Sequence, residues 1–129
     1  MKILLTSLNA KFIHSNLAIR YLKGYCEAYS SADVAIREFT INDQIEKILA
    51  SIYLEEPDVI GFSCYIWNIE ETLKLASSIK QVIPRCKIIL GGPEVSYDSR
   101  EFMAKFPYID FIMYGEGEET FRHFVETLE

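Results

Sequence analysis

The chain has 129 residues, half of them hydrophobic and a quarter charged, with only six glycines and four prolines. That is one domain's length and the composition of a packed core, which excludes a disordered or low-complexity chain. A formal charge of −6 excludes the basic footprint of a nucleic-acid binder, and three cysteines without C-x-x-C spacing exclude a disulfide framework or a self-contained zinc or iron–sulfur site.

The elements follow in alternation along the chain. Residues 3–6 (ILLT) read as a first buried strand. Ser15 or Asn16 caps a helix over 17–29, with Ile19, Leu22, Tyr25, Cys26 and Tyr29 on one stripe. Residues 33–40 (DVAIREFT) alternate and predict a second strand at a sheet edge. Asn42 caps a helix over 43–54 that turns Ile45, Ile48, Leu49 and Ile52 inward. Residues 58–64 (DVIGFSC) form a third strand, nearly continuous in apolar residues. Asn68 caps a helix over 69–83, with Glu71 completing a capping-box-like pair and Ile69, Leu73, Ala76, Ile79 and Ile83 as its apolar stripe. Residues 87–90 (KIIL) are a fourth strand, 99–106 a short helix stopped by Pro107, 110–114 (DFIMY) a fifth strand and 118–128 a last helix.

Continuous apolar runs indicate strands buried on both faces, the mark of a parallel sheet covered by helices. Five strands alternating with helices predict an α/β fold: a doubly wound, five-stranded parallel sheet in a flavodoxin/Rossmann-like three-layer sandwich, with strand order 2-1-3-4-5. No targeting segment is visible, no apolar run approaches the ~20 residues of a membrane helix, and the thiols are read as reduced in a cytoplasmic protein.

Ligands of such sheets bind beyond the carboxyl ends of the strands, at the switch point between the first and third. Four loops meet there: residues 7–14, 65–67, 91–94 and 115–118. They carry Trp67, the only tryptophan, beside Tyr65; Phe12, Ile13 and His14; and Gly91-Gly92, where missing side chains let a ligand approach the backbone. Apolar walls, small-residue floors and a few polar groups suit a large, flat, partly apolar cofactor better than a small anion.

Other functions of this fold are weakened or excluded. A phosphorylated receiver needs acidic residues where Ser7, Leu8, Ser63 and Cys64 stand. No P-loop is present, residues 7–14 contain no glycine for a dinucleotide fingerprint, and Gly115-x-Gly117-x-x-Thr120 lacks a third glycine.

Three segments, taken together in order and spacing, resemble the cobalamin-binding domain found N-terminal to the radical S-adenosylmethionine core in a large enzyme family. Residues 58–63 (DVIGFS) are similar to its D-x-[VI]-G-[FIL]-S strand, 88–94 (IILGGPE) to its V-x-G-G-x-[EH] segment, and 114–118 (YGEGE) to the closing G-E-G-E. The resemblance spans the whole chain and implies a corrinoid at the carboxyl ends of the strands. It implies that Ser63 and Gly91-Gly92 line the channel for the nucleotide tail. By the same resemblance, Asn9, Lys11, Phe12 and His14, with Tyr65 and Trp67, would be expected to face the corrin or its lower side. Pro93, Glu94, Gly115, Glu116 and Gly117 meet its side-chain amides or the neighbouring core.

Relatives with a D-x-H-x-x-G loop supply a histidine to cobalt. Here His14 is the candidate lower ligand, but Phe12 stands for the aspartate and Leu17 for the glycine. The C-x-x-x-C-x-x-C run of the radical core is absent from this sequence. Residues 1–129 are therefore expected to be one cobalamin-binding-like domain of a longer radical S-adenosylmethionine protein, non-catalytic alone. Its expected partner is the C-terminal radical core of the same polypeptide, with an iron–sulfur cluster and S-adenosylmethionine; no nucleic acid or membrane partner is expected. Two other readings of the residues stay open: a cofactor-free domain of this fold that presents a substrate or an interaction surface, and a small flavin or nucleotide binder.

Overall fold

The computed structural model describes residues 1–9, 23–24, 27, 33–65, 68–91 and 99–113. Within them lie β1 (Lys2–Asn9), β2 (Asp33–Thr40), α1 (Ile45–Glu55), β3 (Val59–Ser63), α2 (Ile69–Val82), β4 (Lys87–Gly91), α3 (Ser99–Lys105) and β5 (Phe111–Ile112). Lys23, Gly24 and Glu27 are helical; the rest of the helix expected over 17–29, and all of that over 118–128, lie outside the described residues.

The strands form one parallel sheet in the order β2-β1-β3-β4-β5, as the alternation predicts. β2 is an edge strand. The apolar runs are buried on both faces: Ile3, Leu4, Val59 and Ile60 are each no more than 1% exposed. On one face Leu4, Leu8, Ile60, Phe62, Ile88 and Leu90 pack with Ile48 and Ile52 of α1 and Leu75, Ala76 and Ile79 of α2. On the other lie Ile3, Leu5, Val59 and Ile89.

β1 corrects one expectation. It runs to Asn9 rather than ending at Thr6, because its pairing with β2 continues through Leu8↔Phe39 and Asn9↔Thr40. The polar Ser7 and Asn9 stay in the strand because Ser7 Oγ donates to Asn9 Oδ1 at 2.9 Å. β5 is shorter than expected, since its ladder to β4 holds only Ile89↔Phe111 and Leu90↔Ile112. Asp110, just before it, uses its carboxylate to accept from Ile88 N at 2.8 Å.

The helix ends differ in detail. Gln44, not Asn42, is the N-cap of α1, and its side chain makes no cap bond. Residues 40–43 form a tight turn instead, in which Thr40 N donates to the Asp43 carboxylate at 2.8 Å and Asn42 N to Thr40 Oγ1 at 3.2 Å. Glu56 caps the end of α1, its left-handed backbone (φ 51) returning its N–H to Tyr53 O. In α2 the buried stripe is Thr72, Leu75, Ala76 and Ile79, with Ile69 and Leu73 flanking it half-buried. Asn68 holds the N-cap position of α2 without a side-chain cap bond, so the capping-box expectation is not met.

Candidate functional site

The crevice of a 2-1-3-4-5 sheet opens between β1 and β3, where successive connections leave toward opposite faces. The β1–β3 ladder ends at Thr6↔Phe62. The next residues are Ser7 and Ser63, and Ser63 pairs with Gly91 of β4. Side chains alternate along a strand, so Ser7, Ser63 and Gly91 share a face with Leu5, Gly61 and Ile89 two residues earlier. The close approach of Gly61 to Leu5 and Ile89 places those three on one face. Three adjacent strands thus change together from apolar side chains or a packed glycine to serine, serine and glycine as they reach the crevice.

The two glycines have different causes. A Cβ on Gly61 would lie 3.1 Å from Leu5 Cδ2 and 3.4 Å from Ile89 Cγ2, so the sheet's own packing disfavours a side chain there unless those methyls shift. At Gly91 the nearest described atom to a Cβ is Met113 Cε at 3.6 Å, an ordinary contact, and the backbone is not left-handed. Among the described residues, nothing in the protein demands a glycine at 91. With respect to the described residues it leaves a cradle that a side chain would fill.

Several polar groups around this floor are bonded. Asn9, almost buried, accepts from Ser7 and donates through Nδ2 to Glu38 Oε1 at 3.5 Å, while its carbonyl accepts from Ile41 N at 2.9 Å. Cys64 N donates to Gly91 O at 2.7 Å, carrying the β3–β4 pairing past the strand end. Tyr65 is half-buried, and its N–H donates to Asn68 Oδ1 at 2.8 Å. Asn68 Nδ2 in turn donates to Leu8 O at 3.0 Å and Ser63 O at 3.1 Å.

The ion pairs Lys2–Glu55 (2.8 Å) and Lys80–Asp110 (2.7 Å) lie at the opposite, amino end of the sheet. Arg37 also pairs with Glu55, and these partners, Lys2 first, hold the Glu55 carboxyl below the usual range. Cys86, at that same end, is a buried thiol whose burial pushes its pKa up to about 11. Cys64 is a second buried thiol, and neither is in a disulfide.

Of the residues expected to meet a ligand, Asn9, Ser63, Tyr65 and Gly91 come together at the carboxyl ends of β1, β3 and β4. Lys11, Phe12, His14, Trp67, Gly92, Pro93, Glu94, Gly115, Glu116 and Gly117 lie outside the described residues. Asn68 was read only as a helix cap; its place directly after Tyr65-Ile66-Trp67, at the carboxyl end of β3, is the signal that it belongs to the crevice. A surface groove lined by Phe39, Asn42, Asp43, Gln44, Lys47 and Ile48 lies beside β2 and contains none of the expected ligand residues. Among the described residues no three His, Cys, Asp or Glu side chains converge as metal ligands, and no helix is long and apolar enough to cross a membrane.

A parallel, doubly wound sheet with a small-residue floor at its switch point defines a flavodoxin-like α/β domain built to receive a ligand at its carboxyl edge. The chain matches the B12 binding domain over residues 3–125, and it belongs to that family. It is 40% identical over 72 residues to the cobalamin-dependent radical SAM methyltransferase TokK of Streptomyces tokunonensis, covering 56% of this chain and 11% of that protein. It is 38% identical over 80 residues to a 2-(S-pantetheinyl)-carbapenam-3-carboxylate methyltransferase of Streptantibioticus cattleyicolor, covering 62% and 12%. The fold superposes on the radical S-adenosylmethionine methyltransferase TsrM of Kitasatospora setae with a TM-score of 0.81 at 17% identity, covering 98% of this chain and 25% of that one. The chain thus spans 11–12% of the length of these curated relatives.

Proposed function

We propose that this chain is the cobalamin-binding module of a radical S-adenosylmethionine enzyme, a single domain within a longer polypeptide. The observation that carries the reading is the cradle at Gly91. Family membership names a corrinoid, and a glycine that the described protein packing does not require stands on the floor where its nucleotide tail would run. Cobalamin, when bound, supplies a cobalt centre able to carry a methyl group. The protein's own residues bind and orient it.

Ser63 and Gly91 would hold the tail, the serine hydroxyl by hydrogen bonding and the glycine by close backbone approach; Gly92 extends this floor in sequence. The loop holding Lys11, Phe12 and His14, following Asn9, would meet the corrin's lower side, with His14 as candidate cobalt ligand. Phe12 stands where the Asp that would orient such a histidine is expected, so any orienting partner of His14 must be another residue. Tyr65 and Trp67 would wall the cleft. Pro93, Glu94, Gly115, Glu116 and Gly117 would meet corrin amides or the adjoining radical core. That core, with its iron–sulfur cluster and S-adenosylmethionine, is the proposed partner in the same polypeptide, and methyl transfer the proposed reaction of the whole. The two buried thiols support a reducing, cytoplasmic setting.

Anaerobic reconstitution with hydroxocobalamin, followed by desalting and an absorbance spectrum, tests the reading. The expected result is a retained, roughly stoichiometric corrinoid, lost in Gly91→Leu. A spectral change in His14→Ala assigns the lower ligand. No retention, either here or in the longer natural chain, overturns the proposal, and a yellow complex with FMN in its place favours the flavin alternative.

A further inference from the structure

We propose that Asn68 is the positioning residue of the crevice: its buried amide supplies the rung that β1 and β3 lack beyond their last pair, and so fixes the stance of Ser63 and Tyr65. The inference rests on the cobalamin reading only for the identity of the ligand.

Asn68 is fully buried. Its amide has two donor hydrogens and one carbonyl oxygen, and each has a partner. Both hydrogens go to backbone carbonyls, one at the end of β1 (Leu8 O, 3.0 Å) and one at the end of β3 (Ser63 O, 3.1 Å). The oxygen accepts from Tyr65 N at 2.8 Å. The β1–β3 ladder has already ended at Thr6↔Phe62, so these carbonyls stand where the two strands part. The neighbouring pair β3–β4 is closed at the same level by backbone alone, through Cys64 N to Gly91 O at 2.7 Å. Across the switch point a side chain does what backbone does next door.

A helix-capping role does not explain the residue. A capping Asn accepts from the N–H groups of the first helical turn, and Asn68 makes no such bond. The start of α2 is formed by backbone, with Asn68 N and Ile69 N donating to Tyr65 O at 3.1 and 3.0 Å. Glu70 and Glu71 complement the helix dipole there. The amide is therefore committed to the sheet ends. Two of the three groups it holds belong to Ser63 and Tyr65, which are candidate ligand residues.

Two variants separate positioning from capping. Asn68→Ala removes all three bonds. Asn68→Asp keeps an oxygen for Tyr65 N and is as good an N-cap as Asn, but it has no donor for Leu8 O and Ser63 O and turns a carboxylate toward them. Hydroxocobalamin affinity is read by quenching of Trp67, the only tryptophan, on protein shown to be folded by circular dichroism. Positioning predicts Kd raised about tenfold or more in both variants. Wild-type affinity in folded Asn68→Asp overturns it. A ligand-free measurement keeps the two proposals apart. In Asn68→Ala, hydrogen exchange at the Tyr65 amide is expected to accelerate about tenfold or more while Ile60 and Ile88 keep their protection. An unchanged Tyr65 amide overturns the claim that Asn68 fixes the stance of Tyr65, even if cobalamin binds. No corrinoid bound by the wild-type chain or by the longer natural chain, with an accelerated Tyr65 amide in the variant, upholds the hold of Asn68 on Tyr65 and overturns the cobalamin reading. If the Ala variant does not fold, Asn68→Asp alone decides.

Discussion

Gly61 and Gly91 stand on adjacent strands and are glycines for different reasons. At Gly61 an added methyl meets Leu5 and Ile89 inside a packed sheet layer, at 3.1 and 3.4 Å. Gly61→Ala is expected to lower stability by about 1–3 kcal/mol, the usual cost of overpacking, as measured by urea denaturation. At Gly91 the same methyl meets, among the described residues, only an ordinary contact with Met113, and removing glycine restricts the unfolded chain. Gly91→Ala is therefore expected to leave stability unchanged or raise it by about 0.5 kcal/mol while weakening cobalamin retention. Equal loss of stability in both variants would contradict the assignment of Gly91 to the ligand.

Cys86 allows a second check at this scale. Its thiol is raised from 9.0 to about 11, chiefly by burial. A raised folded pKa means that the native state holds the proton after the unfolded state has lost it. Stability is thus unaffected below pH 9 and falls as pH rises between 9 and 11, with a slope of at most about 1.4 kcal/mol per pH unit from this group. Cys86→Ala removes that slope. Alkylation of the native protein at pH 8, counted by mass spectrometry, is expected to leave Cys64 and Cys86 unmodified.

At the scale of elements, the described ion pairs gather at the amino edge of the sheet, away from the crevice. Lys2 at the start of β1 and Arg37 of β2 both meet Glu55, the last residue of α1, and Lys2 N donates to the Asp58 carboxylate at 2.8 Å. These bonds tie α1 to the amino edge of the sheet, far from the crevice. Such a partly exposed cluster is worth little, so Glu55→Gln is expected to cost about 0.5–1 kcal/mol in thermal or urea denaturation and to leave corrinoid affinity unchanged. Lys2 and Arg37 hold the Glu55 carboxyl low. Its contribution is therefore present above the ordinary carboxylate pKa and disappears as pH falls through the lowered folded value. The acid limb of the stability–pH curve is expected to flatten in Glu55→Gln; an unchanged limb would show that the pair contributes nothing.

For the whole molecule, the sheet acts as a rigid platform whose carboxyl edge carries the site. Ile3, Leu4, Val59, Ile60 and Ile88 are buried in its centre, so the edge residues are held by a core that no ligand needs to organise. A ligand that binds only the folded domain stabilises it by mass action. Hydroxocobalamin at about a hundred times its Kd is expected to add about 2.7 kcal/mol, seen as a rise in Tm that grows with concentration. Gly91→Leu should abolish that rise while Glu55→Gln keeps it.

Much of this architecture was legible from residues alone. Continuous apolar runs such as 58–64 require burial on both faces, and alternation with amphipathic helices leaves little besides a parallel, doubly wound sheet. The strand order followed from the same logic, and with it the position of the switch-point crevice. The position of Ser63 and Gly91 at strand ends was legible, because the apolar runs stop there. The extent of β1 was not: Ser7 and Asn9 read as loop, and only pairing with β2 and the Ser7–Asn9 hydrogen bond keep them in the strand. The different reasons for Gly61 and Gly91 were equally hidden, since a sequence does not show how close Leu5 comes. Asn68 makes the point most sharply. Its position before a helix determines that it starts α2, whereas its bond to Leu8, sixty residues away, exists only because folding brings the ends of β1 and β3 to the same place. Local pattern determined the elements and their order; the long-range hydrogen bonds that shape the crevice were decided by the tertiary structure, where buried carbonyls must find donors from whatever segment lies beside them.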